Sequence, residues 1–331
     1  MKSLSTPLLS IVIPTHKRPK FLSQAIESAL QAAPDGDVEV IVVPNGADDS
    51  WKSVANNFKN YSRVHWHPIS KPHANAARNK GFLSVRGKYV RFLDDVDYLS
   101  EKATQQLLSL DSSGMDVSMG AIELIDENGN TFKKWLPTED VDFTFCMLSK
   151  NRITHNCSLL FKKTSIKNQQ WDEYQNIGQD TAFALKISQD LDLEAHQYNE
   201  VTGFWRHHSG SRISSKGGTH LHSKTTVMIL FEAVKALKKR GALNSQRSNA
   251  AINGIWSCIH NAFPLNPFFW QDIISEAELL FPNSRPEELT FKNKALNSIP
   301  PSILEWAMTP HRWVKIQLRE QARKSGKLPP W

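Results

Sequence analysis

The chain has 331 residues, of which 40% are hydrophobic and 22% charged, with three cysteines and a formal net charge of +7. This mix belongs to a globular protein and excludes disordered and disulfide-stapled classes, and the length calls for two domains or one large domain with an appendage. The positive balance favours anionic partners, among them nucleotides, phosphorylated lipids and membrane surfaces.

The first hundred residues alternate strand and helix. Leu9–Pro14 (LSIVIP) reads as a buried parallel strand. Phe21, Ala25, Ile26, Ala29 and Leu30 recur at helical spacing, so a helix starts near Pro19. Val38–Val43 is a second strand, Asp48–Phe58 a helix with acidic residues in its first turn, and Arg63–His67 a weaker third strand. His73–Val85 is a helix with small residues at Ala74, Ala76 and Ala77, and Tyr89–Leu93 a fourth strand. This order predicts an α/β fold: a doubly wound, mostly parallel sheet with ligands at the carboxyl ends of its strands.

Beyond residue 100 the rhythm changes. Val117–Ile125 and Thr131–Trp135 predict a hairpin around Asn128-Gly129. Ser158–Phe161 reads as a strand, Asp180–Ser188 as a helix and residues 209–218 as a polar loop. Val227–Lys239, Gln246–Ala262, Phe268–Leu280 and Pro310–Lys324 read as helices of a C-terminal appendage, which divides the chain into 1–100, 101–218 and 219–331. Cys146, Cys157 and Cys258 show no CxxC spacing, no window reaches the length of a transmembrane helix, and the start MKSLSTPLLSIVIPTHKRP lacks the design of a signal peptide. A reducing, cytoplasmic setting is expected, in which the sequon Asn156-Cys157-Ser158 carries no meaning.

The chemistry gathers in the loops after the strands. Strand one ends in Thr15-His16-Lys17-Arg18, strand two in Pro44-Asn45-Gly46, and strand four in Asp94-Asp95-Val96-Asp97. Three carboxylates within four positions repel one another unless a cation compensates. A hydroxyl, an amide, basic side chains and carboxylates around one crevice suit a nucleoside diphosphate with a divalent metal, and hard oxygen ligands select Mg²⁺ or Mn²⁺. Each piece has a plainer reading: Asn45-Gly46 as a turn, Thr15 as a helix cap, the acidic run as a solvated loop. Their joint placement carries the inference.

Residues 9–100 resemble the nucleotide-binding half of the family 2 glycosyltransferases, which have the GT-A fold. The stretches that carry the resemblance are SIVIPTHKRPKFLSQAIESAL, VEVIVVPNGADDS and HANAARNKGFLSVRGKYVRFLDDVDYL, with an Ala-Arg-Asn-x-Gly helix at Ala77–Gly81 and a Gly-x-Tyr strand at Gly87–Tyr89 running into an Asp-x-Asp motif. The resemblance continues more weakly to about residue 215, through CSLLFKKTS, Trp171-Asp172-Glu173, Gly178-Gln179-Asp180 and Phe204–Ser211.

The resemblance implies a GT-A-like, inverting, metal-dependent glycosyltransferase of the bacterial surface-polysaccharide type. It would move a sugar from a nucleotide-diphospho-sugar to a glycan or lipid-linked acceptor. Thr15, Arg18, Asn45, Arg78, Asp94 and Asp95 would then line the donor site, with the Arg78 guanidinium reaching the base or phosphates. Asp180 would be the general base, with Asp172 and Glu173 as the nearby alternatives or as the groups that meet the acceptor. The metal would sit on Asp95 and Asp97, or on Asp94 and Asp97 through altered loop geometry, with His208 completing its shell. Taken without the resemblance, Asp180 is a helix-start carboxylate and Arg78 lies on a solvated helix face. Two departures stand out: Pro44-Asn45-Gly46-Ala47 replaces the usual Asp-Asp-Gly-Ser, and Val96 occupies a position where a metal-binding Asp often stands.

His65-x-His67 and His220-x-His222 lack a third ligand at zinc spacing and read as structural or surface pairs. The tail, with Trp306, Arg312, Trp313, Lys315 and Arg319, would pack on the catalytic domain or on a second subunit of a homo-oligomer, or lie on an anionic membrane. Trp306 and Trp313 share a face only if the helix runs through Pro310. A nucleotidyltransferase or dehydrogenase would want a Gly-rich loop after strand one, which is absent, and nucleic-acid recognition motifs are absent too. The alternative is a catalytically degenerate sugar-nucleotide-binding or scaffold protein of the same fold.

Overall fold

The structure, a computed structural model, describes residues 6–138, 142–207, 218–286, 291, 293–296 and 298–324. The chain forms two compact units, one of residues Met1–Cys146 with Ile153–His208, the other of Met147–Arg152 with Ser209–Trp331.

The first unit is built on one nine-stranded sheet. In chain order its elements are β1 (Leu9–Thr15), α1 (Pro19–Leu30), β2 (Val38–Pro44), α2 (Trp51–Asn57), β3 (Val64–Trp66), α3 (Ala74–Leu83), β4 (Tyr89–Phe92), β5 (Tyr98–Leu99), α4 (Lys102–Ser113), β6 (Val117–Ile125), β7 (Thr131–Trp135), α5 (Phe143–Leu148, running into the second unit), β8 (Leu159–Lys162), α6 (Gln179–Asp190) and β9 (Ala195–Arg206). The strands lie in the order β3-β2-β1-β4-β8-β6-β9-β5, with β7 paired to β6. All seven residues of β1 and of β2 are buried, as continuous β-branched runs covered on both faces should be.

The parallel block is β3-β2-β1-β4, and the sheet beyond it is mixed. β8 runs antiparallel to both β4 and β6, while β9 returns parallel to β6. The hairpin β6–β7 forms at the expected residues. Two elements have no strong sequence signature. β9 begins with the polar run Ala195–Glu200 and its pairing with β6 shifts register twice, so alternation is blurred. α4 presents only a narrow buried stripe, Ala103, Gln106, Leu107 and Leu110.

Close backbone approach explains two glycines. A Cβ on Gly81 would lie 2.4 Å from Val12 Cγ1, so the glycine lets α3 settle against β1. A Cβ on Gly87 would meet Ser10 N and Oγ at 2.7 Å, where Gly87 N donates to Ser10 Oγ at 2.8 Å.

The second unit is helical: α7 (Gly218–Lys239), α8 (Ser245–Ala262), α9 (Pro267–Leu280) and α10 (Pro301–Lys324). Val227, Leu230, Phe231 and Val234 of α7, with Trp256 of α8 and Trp270 of α9, are fully buried there. α10 starts nine residues ahead of Pro310 and continues through it as one helix. The fully buried Glu305 accepts from His260 Nδ1 at 2.7 Å and from Arg312 Nη1 at 2.5 Å. His220 Nδ1 accepts from Trp270 Nε1 at 3.2 Å, a structural role.

At the amino end of the parallel block, Glu39 is buried on β2 opposite Ser10. It accepts from Ser10 Oγ at 2.5 Å and from Arg86 N and Nε at 2.7 Å each. Burial pushes the carboxyl up, but these donors together hold it below the usual carboxylate range. A depressed folded pKa contributes stability that is present above the unfolded pKa and lost as pH falls through the folded value. Glu39→Gln is therefore expected to cost about 1–3 kcal/mol at neutral pH. In urea denaturation series the gap from wild type should close as pH drops below the ordinary glutamate range.

Candidate active site

The carboxyl ends of β1, β2 and β4 meet as the parallel register requires. Thr15 pairs with Pro44, and Asn45 N donates to Thr15 O at 3.0 Å. The turn from β1 into α1 is tight: Lys17 adopts a left-handed φ of 55°, and its N–H donates to Asp48 Oδ2 at 2.6 Å.

The acidic triplet does not act as one patch, because its members face different ways. Asp95 turns back to β1, where Thr15 Oγ1 donates to Oδ2 at 2.7 Å and Arg18 Nη1 to Oδ1 at 3.2 Å. Burial raises its pKa in spite of these donors. Asp97 N donates to Asp94 O at 3.0 Å, closing a turn with Val96 inside it. Asp97 Oδ1 accepts from Arg206 N of β9 at 2.8 Å, and its Oδ2 lies 3.4 Å from His155 Nε2. Asp94 faces the other way, toward α3 and α6.

Arg78 of α3 is 3% exposed and sits between the two carboxylates of that side. Nη2 lies 2.6 Å from Asp94 Oδ1 and 3.9 Å from Asp180 Oδ1. Nη1 donates to Asn75 Oδ1 at 2.8 Å and to Gln179 Oε1 at 3.0 Å, and the guanidinium lies over the Trp171 ring at 4.4 Å. The expected solvated helix face is thus a buried one. Asn156 Nδ2 bridges the same pair, 3.2 Å from Asp94 Oδ1 and 3.1 Å from Asp180 Oδ1.

Asp180 stands in the first turn of α6. Burial and, after it, the neighbouring Asp94 carboxylate push its pKa up to about 7. Burial also works on Asp94, but Arg78 and His155 hold that carboxyl below the usual range. Environment has driven two adjacent carboxyls apart, the pattern that separates proton acceptor from fixed charge. Among the described residues, ligand atoms of Asp94, His155 and Asp180 lie within 4.8 Å of one another, a set that can hold a cation. His155 is buried, with Nδ1 3.0 Å from Cys157 Sγ and its ring stacked on Trp205 at 4.5 Å.

The remaining expected residues frame this cluster. Asn45 is buried, and its amide donates to Thr15 O at 2.9 Å. Glu173 accepts from Lys71 Nζ at 2.6 Å and from Asn79 Nδ2 at 3.0 Å, and both donors hold its pKa low. Asp172 caps its own turn through Tyr174 N at 2.8 Å. His208 lies outside the described residues.

His155, Asn156 and Gln179 were not singled out from the sequence as site residues. For His155 and Asn156 the reason is topological. β8 is antiparallel to β4, so its start lies beside the carboxyl end of β4, whereas a parallel β8 would carry residues 155–158 to the opposite edge.

Residues 10–169 match the model described as glycosyl transferase family 2. They belong to that family. The glycosyltransferase domain has curated bacterial relatives. One is the minor teichoic acid biosynthesis protein GgaB of Bacillus subtilis, 26% identical over 54% of this chain and 21% of its own length. Another is the GalNAc(5)-diNAcBac-PP-undecaprenol beta-1,3-glucosyltransferase of Campylobacter jejuni, 25% identical over 65% of this chain and 71% of that protein. The chain spans 23% and 21% of the length of the first two curated relatives it matches. Among solved structures, S. aureus TarS 1–349 in complex with UDP-GlcNAc superposes with a TM-score of 0.64 at 15% identity, covering 96% of this chain and 92% of that one, a likeness of fold.

Within the glycosyltransferase domain the Arg78 pairing sets a stability test. Arg78→Met leaves Asp94 and Asp180 facing each other with no guanidinium between them, a loss of about 3–5 kcal/mol. The repulsion exists only when both are ionised. Thermal melts should therefore show a larger loss at pH 8 than at pH 5, on either side of the Asp180 pKa of about 7.

Proposed function

We propose that the domain is an inverting glycosyltransferase, with Asp180 taking the proton of an acceptor hydroxyl as that oxygen attacks the anomeric carbon of a nucleotide-diphospho-sugar. The observation that carries this reading is the half-buried Asp180 carboxyl, its pKa pushed up to about 7, set beside an Asp94 kept ionised by Arg78. A base with that pKa is half deprotonated near neutral pH and still basic enough to accept a proton. Asn156 and Gln179, through Arg78, fix where its oxygens point.

The donor set fits a divalent cation. Asp94, Asp97 and His155 would hold Mn²⁺ or Mg²⁺, since Nε2 of His155 faces Asp97 at 3.4 Å and shares a cluster with Asp94. The imidazole favours Mn²⁺. When bound, the ion would neutralise charge on the leaving diphosphate. This arrangement supports Asp94 and Asp97, in preference to Asp95 and Asp97, as the carboxylate pair. Asp95 instead would hold Thr15 and Arg18 in place at the edge where the phosphates would lie. The acceptor would be a glycan or lipid-linked glycan, approached past Asp172 and Glu173. The lipid-linked chemistry named for the Campylobacter jejuni relative supports that class.

The degenerate-scaffold reading has one observation in its favour: Asn45 gives its amide to Thr15 O, so the usual carboxylate for reading a base is replaced by a structural group. Turnover separates the two. Sugar nucleotides, screened with and without Mn²⁺, should bind in a metal-dependent way that Asp97→Ala abolishes. Asp180→Asn should keep donor binding and lower turnover by about 10²–10⁴-fold. If no sugar nucleotide binds, the transfer reading is wrong; if Asp180→Asn turns over like wild type, the base is elsewhere.

The pH profile tests the same group. Asp180 acts as a base only when deprotonated, so kcat should rise with pH through an apparent pKa of about 7.

A further inference from the structure

α10 carries an apolar ridge that none of the described residues of its own unit covers. Its inner face packs through Leu304 and Glu305, which are buried. Its outer face shows Ile303, Trp306, Trp313, Val314 and Leu318, all between 38% and 61% exposed, and Phe268 of α9 adds to the ridge at 78%. The spacing is helical, and because the helix runs through Pro310 these side chains form one stripe. Trp306 joins α9 to it, edge-on to Phe268 at 5.5 Å and donating from Nε1 to Gln271 Oε1 at 3.0 Å.

The charge beside the ridge has one sign. From Pro310 to Lys324 the sequence holds Arg312, Lys315, Arg319, Arg323 and Lys324 against Glu320 alone. Arg312 is paired with Glu305, while Lys315 and Arg319 are exposed. Exposed tryptophans and leucine flanked by lysine and arginine are the composition of a helix that lies in the headgroup layer of a bilayer. A second copy of the chain fits less well, because a two-fold contact would bring this basic strip against itself. No helix among the described residues is long and apolar enough to cross a membrane, so the helix would lie on the surface.

We propose that the α10 ridge docks on an anionic lipid bilayer, with Trp306, Trp313 and Leu318 entering the headgroup region and Lys315 and Arg319 meeting lipid phosphates. The inference stands apart from the transfer reading, since vesicle binding needs neither donor nor acceptor.

The test uses the full chain in co-sedimentation with phosphatidylcholine vesicles, with and without phosphatidylglycerol. Wild type should bind the anionic vesicles at least about tenfold more tightly than the neutral ones. Binding should fall as salt rises. Trp313→Ala/Leu318→Ala and Lys315→Glu/Arg319→Glu should each lose about tenfold or more while keeping the wild-type melting temperature, because these side chains are exposed. Equal binding to both vesicles, or variants that bind like wild type, overturns the proposal. So does a dimer in light scattering that Trp313→Ala/Leu318→Ala dissociates, which would give the ridge to a second copy.

Discussion

The centre of this molecule is a guanidinium buried between two carboxylates. Taking Arg78 out of water is costly, and Asp94, Asn75 and Gln179 offset that cost at Nη1 and Nη2 while Trp171 covers the guanidinium face. Much of the surrounding structure follows from that requirement. α3 must lie close to the sheet, which Gly81 permits by leaving room for Val12. The segment from Trp171 to Gln179 must be anchored to α3, which Asn75 and Asn79 do: their side-chain amides donate to Asp172 O and Trp171 O at 2.6 and 2.9 Å. One helix thereby ties Asp94, on the loop after β4, to the proposed base on α6.

The second organising fact is the direction of β8. Placing one antiparallel strand between β4 and β6 brings the end of β4 and the start of β8 to the same edge. That edge collects Asp94 and Asp97 from one strand and His155 and Asn156 from the other. Beneath it, the buried Arg91 of β4 donates to Cys157 O at 2.7 Å and to Gln106. Burial depresses its pKa to about 10, and it fixes the backbone just past His155 and Asn156.

Legibility followed the range of the interactions. The parallel block was plain in the sequence because its strands are largely apolar runs and α1 carries strong periodicity; β1, β2, β4, α1, α3 and the β6–β7 hairpin lie where pattern places them. β9 and α4 were missed because tertiary contacts, not local pattern, hold them. The loops after β1, β2 and β4 were legible as one converging edge. What the individual side chains do there was less so. Nothing local in Asp94-Asp95-Val96-Asp97 says that the first faces α3, the second β1 and the third β9; the partners come from 16 to 109 residues away. Asn156 and His155 were obscured for the same reason, since their place depends on the sense of a strand that follows them.

Proline inside α10 would ordinarily mark a hinge, because it removes a rung from the hydrogen-bond ladder. Here Glu305 and Arg312, seven residues apart, form an ion pair that spans Pro310, and Thr309 Oγ1 donates to Glu305 O at 2.8 Å. The pair acts as a splint across a fracture. With His260 holding the same carboxylate to α8, a push on the far end of α10 is transmitted as leverage on the helical bundle and is not absorbed by bending at the proline.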